Sequence, residues 1–205
     1  MKKKERLSEF NQKNIIDAAK KLFIANGIFH TSMDEISREA EYSKSTIYVY
    51  FKSKEEIYNY IILEHFELLK NAVCDALRDS PGFPEGFFAV CHALADGYEN
   101  YPLFFESILS EIKFPENESQ TVLIKIHKVG EEINSVIENY LQRCVDEKKI
   151  TLDVSPLQAT MTLWASITGL ISFAHKKEIY IKNSTGASKK IFIENGFRAL
   201  LKTIT

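Results

Sequence analysis

The 205 residues predict an all-α chain, and three observations carry that reading. Glycine and proline are scarce, 8 and 5 in all, too few for a turn-dense all-β domain. Apolar residues recur at spacings of three and four, and no long run alternates with period two. Twice a serine is followed three residues later by glutamate ahead of an apolar run, the signature of a capped helix start. A chain of this length buries about 70% of its unfolded surface, so neither metal nor disulfide is needed to hold it. About nine helices are expected. They divide into a three-helix N-terminal head, residues 1–55, and an all-helical body, residues 56–205.

The elements follow in order. Ile15, Ala18, Ala19, Leu22 and Phe23 share one face of a first helix, which Asn26-Gly27 closes. Ser32 with Glu35 caps a second helix whose Ile36 and Ala40 face inward, and Ser43 caps a third that runs to about Phe51. Ser53 with Glu56 opens a long helix to about Arg78. The stretch from Asp79 to Pro84 is the sharpest break in the chain. Further helices are expected at about 84–100, 102–113, 118–148, 155–177 and 187–204, separated by Pro102, residues 114–117, 151–153 and 183–186.

Several classes of protein are excluded or disfavoured. Cys74, Cys91 and Cys144 are widely spaced and contain no CxxC, so the reading is an intracellular, reducing compartment with thiols used as small apolar groups. The basic start, Met1 to Arg6, lacks a following apolar core and is no signal peptide. Val154 to Ala174 carries no formal charge over 21 residues, but it holds Pro156, Gly169 and seven Ser, Thr or Gln residues. It is expected to be a buried or interface helix rather than a membrane span. No HExxH, GxSxG, phosphate-binding or dinucleotide glycine motif occurs, and the five histidines are scattered, so neither an enzyme nor a metal or cofactor site is expected.

Charge points to the head. Net charge is −2 for the whole chain, yet residues 1–55 hold 11 Lys and Arg against 8 Asp and Glu, and the rest hold 15 against 20. A basic head on an acidic body suits nucleic-acid contact at one end. Two short helices joined by Glu41-Tyr42-Ser43 form a helix-turn-helix plan, whose second helix enters the major groove. At 100° per residue, Ile47 and Phe51 face inward, while Ser45 and Val49 face out, flanked by Thr46 and Tyr48. Ser45 and Thr46 suit bases or phosphates, and Val49 suits a thymine methyl. Lys44, Lys52 and Lys54 suit phosphate oxygens, and the helix starts at Thr31/Ser32 and Ser53/Lys54 offer amide donors to two more.

The runs Ile15–Phe23, Gly27, Thr31–Ile36 and Ser43–Glu56 together resemble the DNA-binding head of the tetracycline-repressor (TetR/AcrR) family over about residues 10–57. The resemblance implies a double-stranded DNA operator contacted through Thr31, Lys44, Ser45, Thr46, Tyr48, Val49, Tyr50 and Lys54. It implies a cytoplasmic one-component repressor that leaves its operator when a small molecule enters the body. Two positions depart from the family. The turn is usually Gly-Val but here is Glu41-Tyr42, so either Glu41 takes on the strain a glycine would relieve or the turn differs. Ser45 stands where relatives often have glycine.

A single head reads too few base pairs, so a homodimer reading a palindrome is expected, built by the body. The candidate interface residues are Leu157, Met161, Ile167 and Ile171 in the charge-free stretch and Phe197, Leu200, Leu201 and Ile204 at the end. A largely apolar effector is expected among Phe88, His92, Tyr98, Phe105, His127 and Trp164, with His92, Tyr98 or His127 as polar anchors. The alternative is a DNA-binding regulator or architectural protein without an effector.

Overall fold

The computed structural model describes residues 3–78, 80, 82–109 and 121–203. Within these it is helical: α1 Lys3–Asn26, α2 Met33–Glu39, α3 Lys44–Tyr50, α4 Lys54–Arg78, α5 Phe83–Asn100, α6 Pro102–Phe105, a 3-10 turn Glu106–Leu109, α7 Thr121–Asp146, α8 Pro156–Lys176, α9 Glu178–Thr185 and α10 Lys189–Leu201. The expected break at residues 114–117 and the flanking helix ends lie outside the described residues, as do Asp79, Pro81 and Ile204. Two compact units are formed, Met1–His65 with Lys113–Ile126, and Phe66–Ile112 with His127–Thr205.

The first unit is held by the apolar stripe of α1. Ile15, Ala18, Ala19 and Phe23 are buried together with Ile36 of α2, Ile47 of α3, Phe51, and Ile57 and Ile61 of α4. Phe23 meets Tyr58 and Phe51 meets Tyr60 edge to face, at ring-centre distances of 6.0 and 5.5 Å. α1 stops because Gly27 turns left-handed at φ 78° and returns its N–H to the Phe23 carbonyl. Ser32 and Glu35 form a full capping box on α2. At α4 the Ser53 hydroxyl accepts from the Glu56 amide, while the Glu56 carboxylate accepts from the amide of Lys52, one residue before the cap.

The second unit is layered on α8. Ser155 caps it and Pro156 starts it, and its buried residues Ala159, Thr160, Ile167, Thr168, Ile171 and Ala174 line one side, with α5 and α10 as neighbours. Its buried threonines, Thr160 and Thr168, donate their hydroxyls to the carbonyls of Pro156 and Trp164, which satisfies both groups inside the core. Gly196 of α10 lies so close to Leu170 that a β-carbon there would collide with it, and this allows α10 to seat on α8. Among the described residues α8 is the one helix long and apolar enough to cross a bilayer, yet a third of its apolar window is buried within the chain (33%). α9 is unanticipated. It ends at Gly186, left-handed at φ 71°, and buries Ile181 alone.

Candidate nucleic-acid interface

The site begins with a seven-residue helix, α3, that could not stand alone and is fixed by what lies behind it. Ile47 is fully buried and Phe51 nearly so. The opposite side is open: Val49 is 78% exposed and Tyr48 49%, with Ser45 and Lys44 exposed and Thr46 and Tyr50 half-buried. An apolar Val49 so bare is unexplained by packing within the chain.

The polar groups around α3 have defined partners. The Ser43 hydroxyl accepts from the Thr46 amide at 3.1 Å and also meets the hydroxyls of Ser45 and Thr46 at 2.8 and 2.7 Å. Both hydroxyls are thus gathered at the helix start. Lys44 pairs with Asp34 at 2.7 Å, and this carboxylate holds the ammonium above its usual range. Both partners are more than half exposed (56% and 60%), so the pair is weak. On the other side, Tyr42 and Tyr50 both bond the side chain of Asn11 on α1, each at 2.9 Å.

Thr31 and Lys54 are put to a different use from the one the family pattern implies. Thr31 is 2% exposed and donates its hydroxyl to the Gly27 carbonyl at 2.9 Å. Lys54 donates its ammonium to the carbonyls of Ile28, Phe29 and Thr31 at 2.8, 3.3 and 2.8 Å. The lysine ammonium carries three hydrogens, one for each of the three converging carbonyls. Together the two residues knot the α1–α2 turn to the start of α4 rather than offering charge outward. Sequence spacing does not show the Lys54 contacts, because its partners are main-chain carbonyls 23 to 26 residues away.

Glu41 is left-handed at φ 59°, the conformation its position demands and glycine would adopt freely. Its side chain is exposed. Tyr42, its neighbour, donates its amide to the Ser37 carbonyl at 3.0 Å, which completes the turn between α2 and α3.

A second candidate site lies in the body. Residues of α4, α5, α7 and α8 line an apolar void of about 30 Å³, room for a water or two. Its walls include Leu77, Phe83, Phe87, Tyr140, Trp164 and Ile167. Every polar group on the wall is already spent. Trp164 Nε1 donates to Asn134 at 2.9 Å, Thr160 donates to the Pro156 carbonyl, and Tyr140 donates to the carbonyls of Gly82 and Phe83 at 2.9 and 3.2 Å. Burial drives the Tyr140 phenol upward in pKa. Its hydroxyl passes where a β-carbon on residue 86 would be, which is why Gly86 stands there.

Of the six residues expected around an effector, Trp164 lines this void and the others do not. His92 is exposed, stacked on Phe88 with Nε2 3.0 Å from Glu194. Tyr98 is buried, but its ring stacks on His175 at 4.0 Å and meets Phe105 edge to face at 4.9 Å, filling the space at the end of α5. His127 is exposed on α7. The sequence missed Leu77, Tyr140 and Thr160, which come from three different helices and share no motif. The expected interface residues divide likewise. Ile167, Ile171 and Phe197 are buried within the chain's own core, and Leu200 and Leu201 are half-buried. Leu157 and Met161 are exposed, at 39% and 55%.

A capped helix-turn-helix with a bare outer helix face, on a helical body, is the build of a DNA-binding transcriptional regulator. The profile of bacterial regulatory proteins of the tetR family matches residues 15–61, so the head is that of a TetR-family DNA-binding transcriptional regulator. It is 22% identical over 156 residues to the uncharacterized HTH-type transcriptional regulator YhgD of Bacillus subtilis, covering 76% of this chain and 78% of that one. It is 27% identical over 193 residues to the HTH-type transcriptional regulator AcrR of Shigella flexneri, covering 86% and 87%. The fold matches the FadR regulator of Bacillus subtilis solved with stearoyl-CoA, with a TM-score of 0.67 over 92% of this chain and 96% of that one, at 17% identity.

Proposed function

We propose that this regulator is a cytoplasmic homodimeric repressor that binds a palindromic operator through α3 and leaves it when an apolar small molecule opens the body. The observation that carries the DNA reading is the bare face of α3, with Val49 at its centre and Lys44 at its edge. Lys44, Ser45, Thr46, Tyr48, Val49 and Tyr50 make the contacts. Val49 reads a thymine methyl, Ser45 and Thr46 exchange Ser43 for base or phosphate acceptors, and Lys44 exchanges Asp34 for a phosphate. Thr31 and Lys54 support them from behind.

The exposed side of α8, with Leu157 and Met161, supplies the dimer surface. A helix without charge along this stretch, with exposed Ala165 and Gly169, suits close approach by the same helix of a second copy.

The effector reading rests on the void. Its lining is apolar and its polar groups are committed, so it suits hydrocarbon better than any charged ligand. At about 30 Å³ it is closed, well below the roughly 300 Å³ of a drug-sized site. A ligand must therefore part α5, α7 and α8 to enter. α4 carries the response: its far end supplies Leu77 to the void, and its near end follows α3 directly. Induction requires only that the ligand favour one state over the other. The bound stearoyl-CoA in the structurally similar FadR makes long-chain acyl-CoA the first compound to try. The small void equally favours a second reading, a regulator without an effector. Trp164 is the single tryptophan and stands in the wall, so its fluorescence decides. Titration with stearoyl-CoA should shift the emission and release bound DNA over the same concentration range. An emission unmoved by a panel of apolar compounds would leave the second reading standing.

A further inference from the structure

We propose that Asn11, on α1, is a positioning residue that aims the hydroxyl proton of Tyr50 outward at a DNA phosphate; this rests on the DNA-binding reading above. Asn14 Nδ2 donates to the Tyr42 hydroxyl at 3.4 Å. Tyr42 donates to Asn11 Oδ1 at 2.9 Å, and Asn11 Nδ2 donates to the Tyr50 hydroxyl at 2.9 Å. A phenol has one hydrogen. Tyr42 accepts from Asn14, so its own hydrogen goes to Asn11. The Asn11 oxygen is thereby occupied, and its amide hydrogens face Tyr50. Tyr50 is thus an acceptor on its inner side, and its hydrogen is left to donate.

The direction matters because a phosphate oxygen only accepts. A Tyr50 that donated inward to Asn11 would turn lone pairs toward the phosphate and repel it. The same phenol, with its proton outward, attracts it. A chain of bonds running one way also polarises each successive donor. Tyr42 belongs to the turn in which this sequence departs from its family, so the relay is built from that departure. All four side chains are half-buried, dry enough for the order to hold and open enough for Tyr50 to reach a ligand.

The test uses the full chain and a duplex selected from a randomised pool by the unsubstituted protein. Asn11→Asp keeps the shape but only accepts, so Tyr50 must donate inward. Asn11→Leu is its uncharged companion. Each, like Tyr50→Phe, should lower affinity about tenfold, the worth of one charge-assisted hydrogen bond. Base preference should stay the same, because a phosphate contact carries no sequence information. With Tyr50→Phe already in place, Asn11→Leu should cost nothing further, and Asn11→Asp should cost only a repulsion that fades as salt rises. Asn11 substitutions that cost the same with and without the Tyr50 hydroxyl, or a Tyr50→Phe that binds normally, overturn the relay while leaving DNA binding intact. Failure of the unsubstituted protein to select any duplex removes the DNA reading and the relay with it.

Discussion

Glu41 shows how one residue can hold a turn at a cost. The backbone there is left-handed at φ 59°, a region in which a β-carbon crowds the following carbonyl by roughly 1–2 kcal/mol. Its identity was legible as a departure from the family, and the structure shows that the residue takes on the strain a glycine would relieve. Glu41→Gly should therefore raise stability by about 0.5–1 kcal/mol, less than the full strain because glycine also loosens the unfolded chain. Thermal unfolding with and without the substitution checks this. An unchanged or lower melting temperature would mean that the side chain contributes something the backbone geometry does not show. Thr31 and Lys54 teach the complementary lesson. Their types fit a phosphate site, yet both are committed to main-chain carbonyls, and a sequence gives no sign of main-chain partners.

At the scale of elements, the helices were readable where their caps and periodicity agree. Ser32 with Glu35 and Ser43 lie at the starts of α2 and α3 as expected, and Ile47 and Phe51 fix the phase of α3 as expected. α9 was not readable. Eight residues with a single buried position give too little period to detect, and only Gly186 marked its end. α8 was readable as an uncharged helix but not as to which side faces where. Ile167 and Ile171 proved to be core, whereas Leu157 and Met161 face out. That division makes a prediction. Met161→Asp should leave the helical signal and the melting profile of the subunit intact and shift sedimentation from dimer to monomer, with loss of operator affinity. Ile171→Ala should instead cost about 2–4 kcal/mol of stability, because it opens a cavity where no neighbour can collapse. A Met161→Asp protein that still sediments as a dimer would move the interface elsewhere.

Across the whole molecule, fold class, the N-terminal head and the family were legible, because local periodicity and capping specify them. The effector wall was not, because Leu77, Phe83, Tyr140 and Trp164 come from four helices and meet only through tertiary packing. Stability also has a feature the sequence hid. His65 of α4 is 9% exposed, and burial, aided by the Lys20 ammonium, lowers its pKa from 6.5 to about 4. The unfolded chain takes up a proton near pH 6.5 that the folded chain refuses until about pH 4. This contribution is therefore fully present above pH 6.5 and drains away as pH falls toward 4, by up to about 3 kcal/mol. Denaturant unfolding at pH 7 and pH 4.5 should show most of that fall, and His65→Gln should flatten it. An equally steep fall in His65→Gln would assign the loss to carboxylates instead.

The most direct test of the account is the affinity of the purified protein for its selected duplex, measured from low to moderate salt and repeated with Val49→Ala. The protein should be a dimer whose affinity falls steeply with salt, at a log–log slope of about −0.9 for each phosphate neutralised. Val49→Ala should keep that slope and lose about 1–3 kcal/mol of preference at one base pair in each half-site. Binding that ignores salt, or a Val49→Ala protein with the full original base preference, would contradict the claim that the open face of α3 reads the major groove.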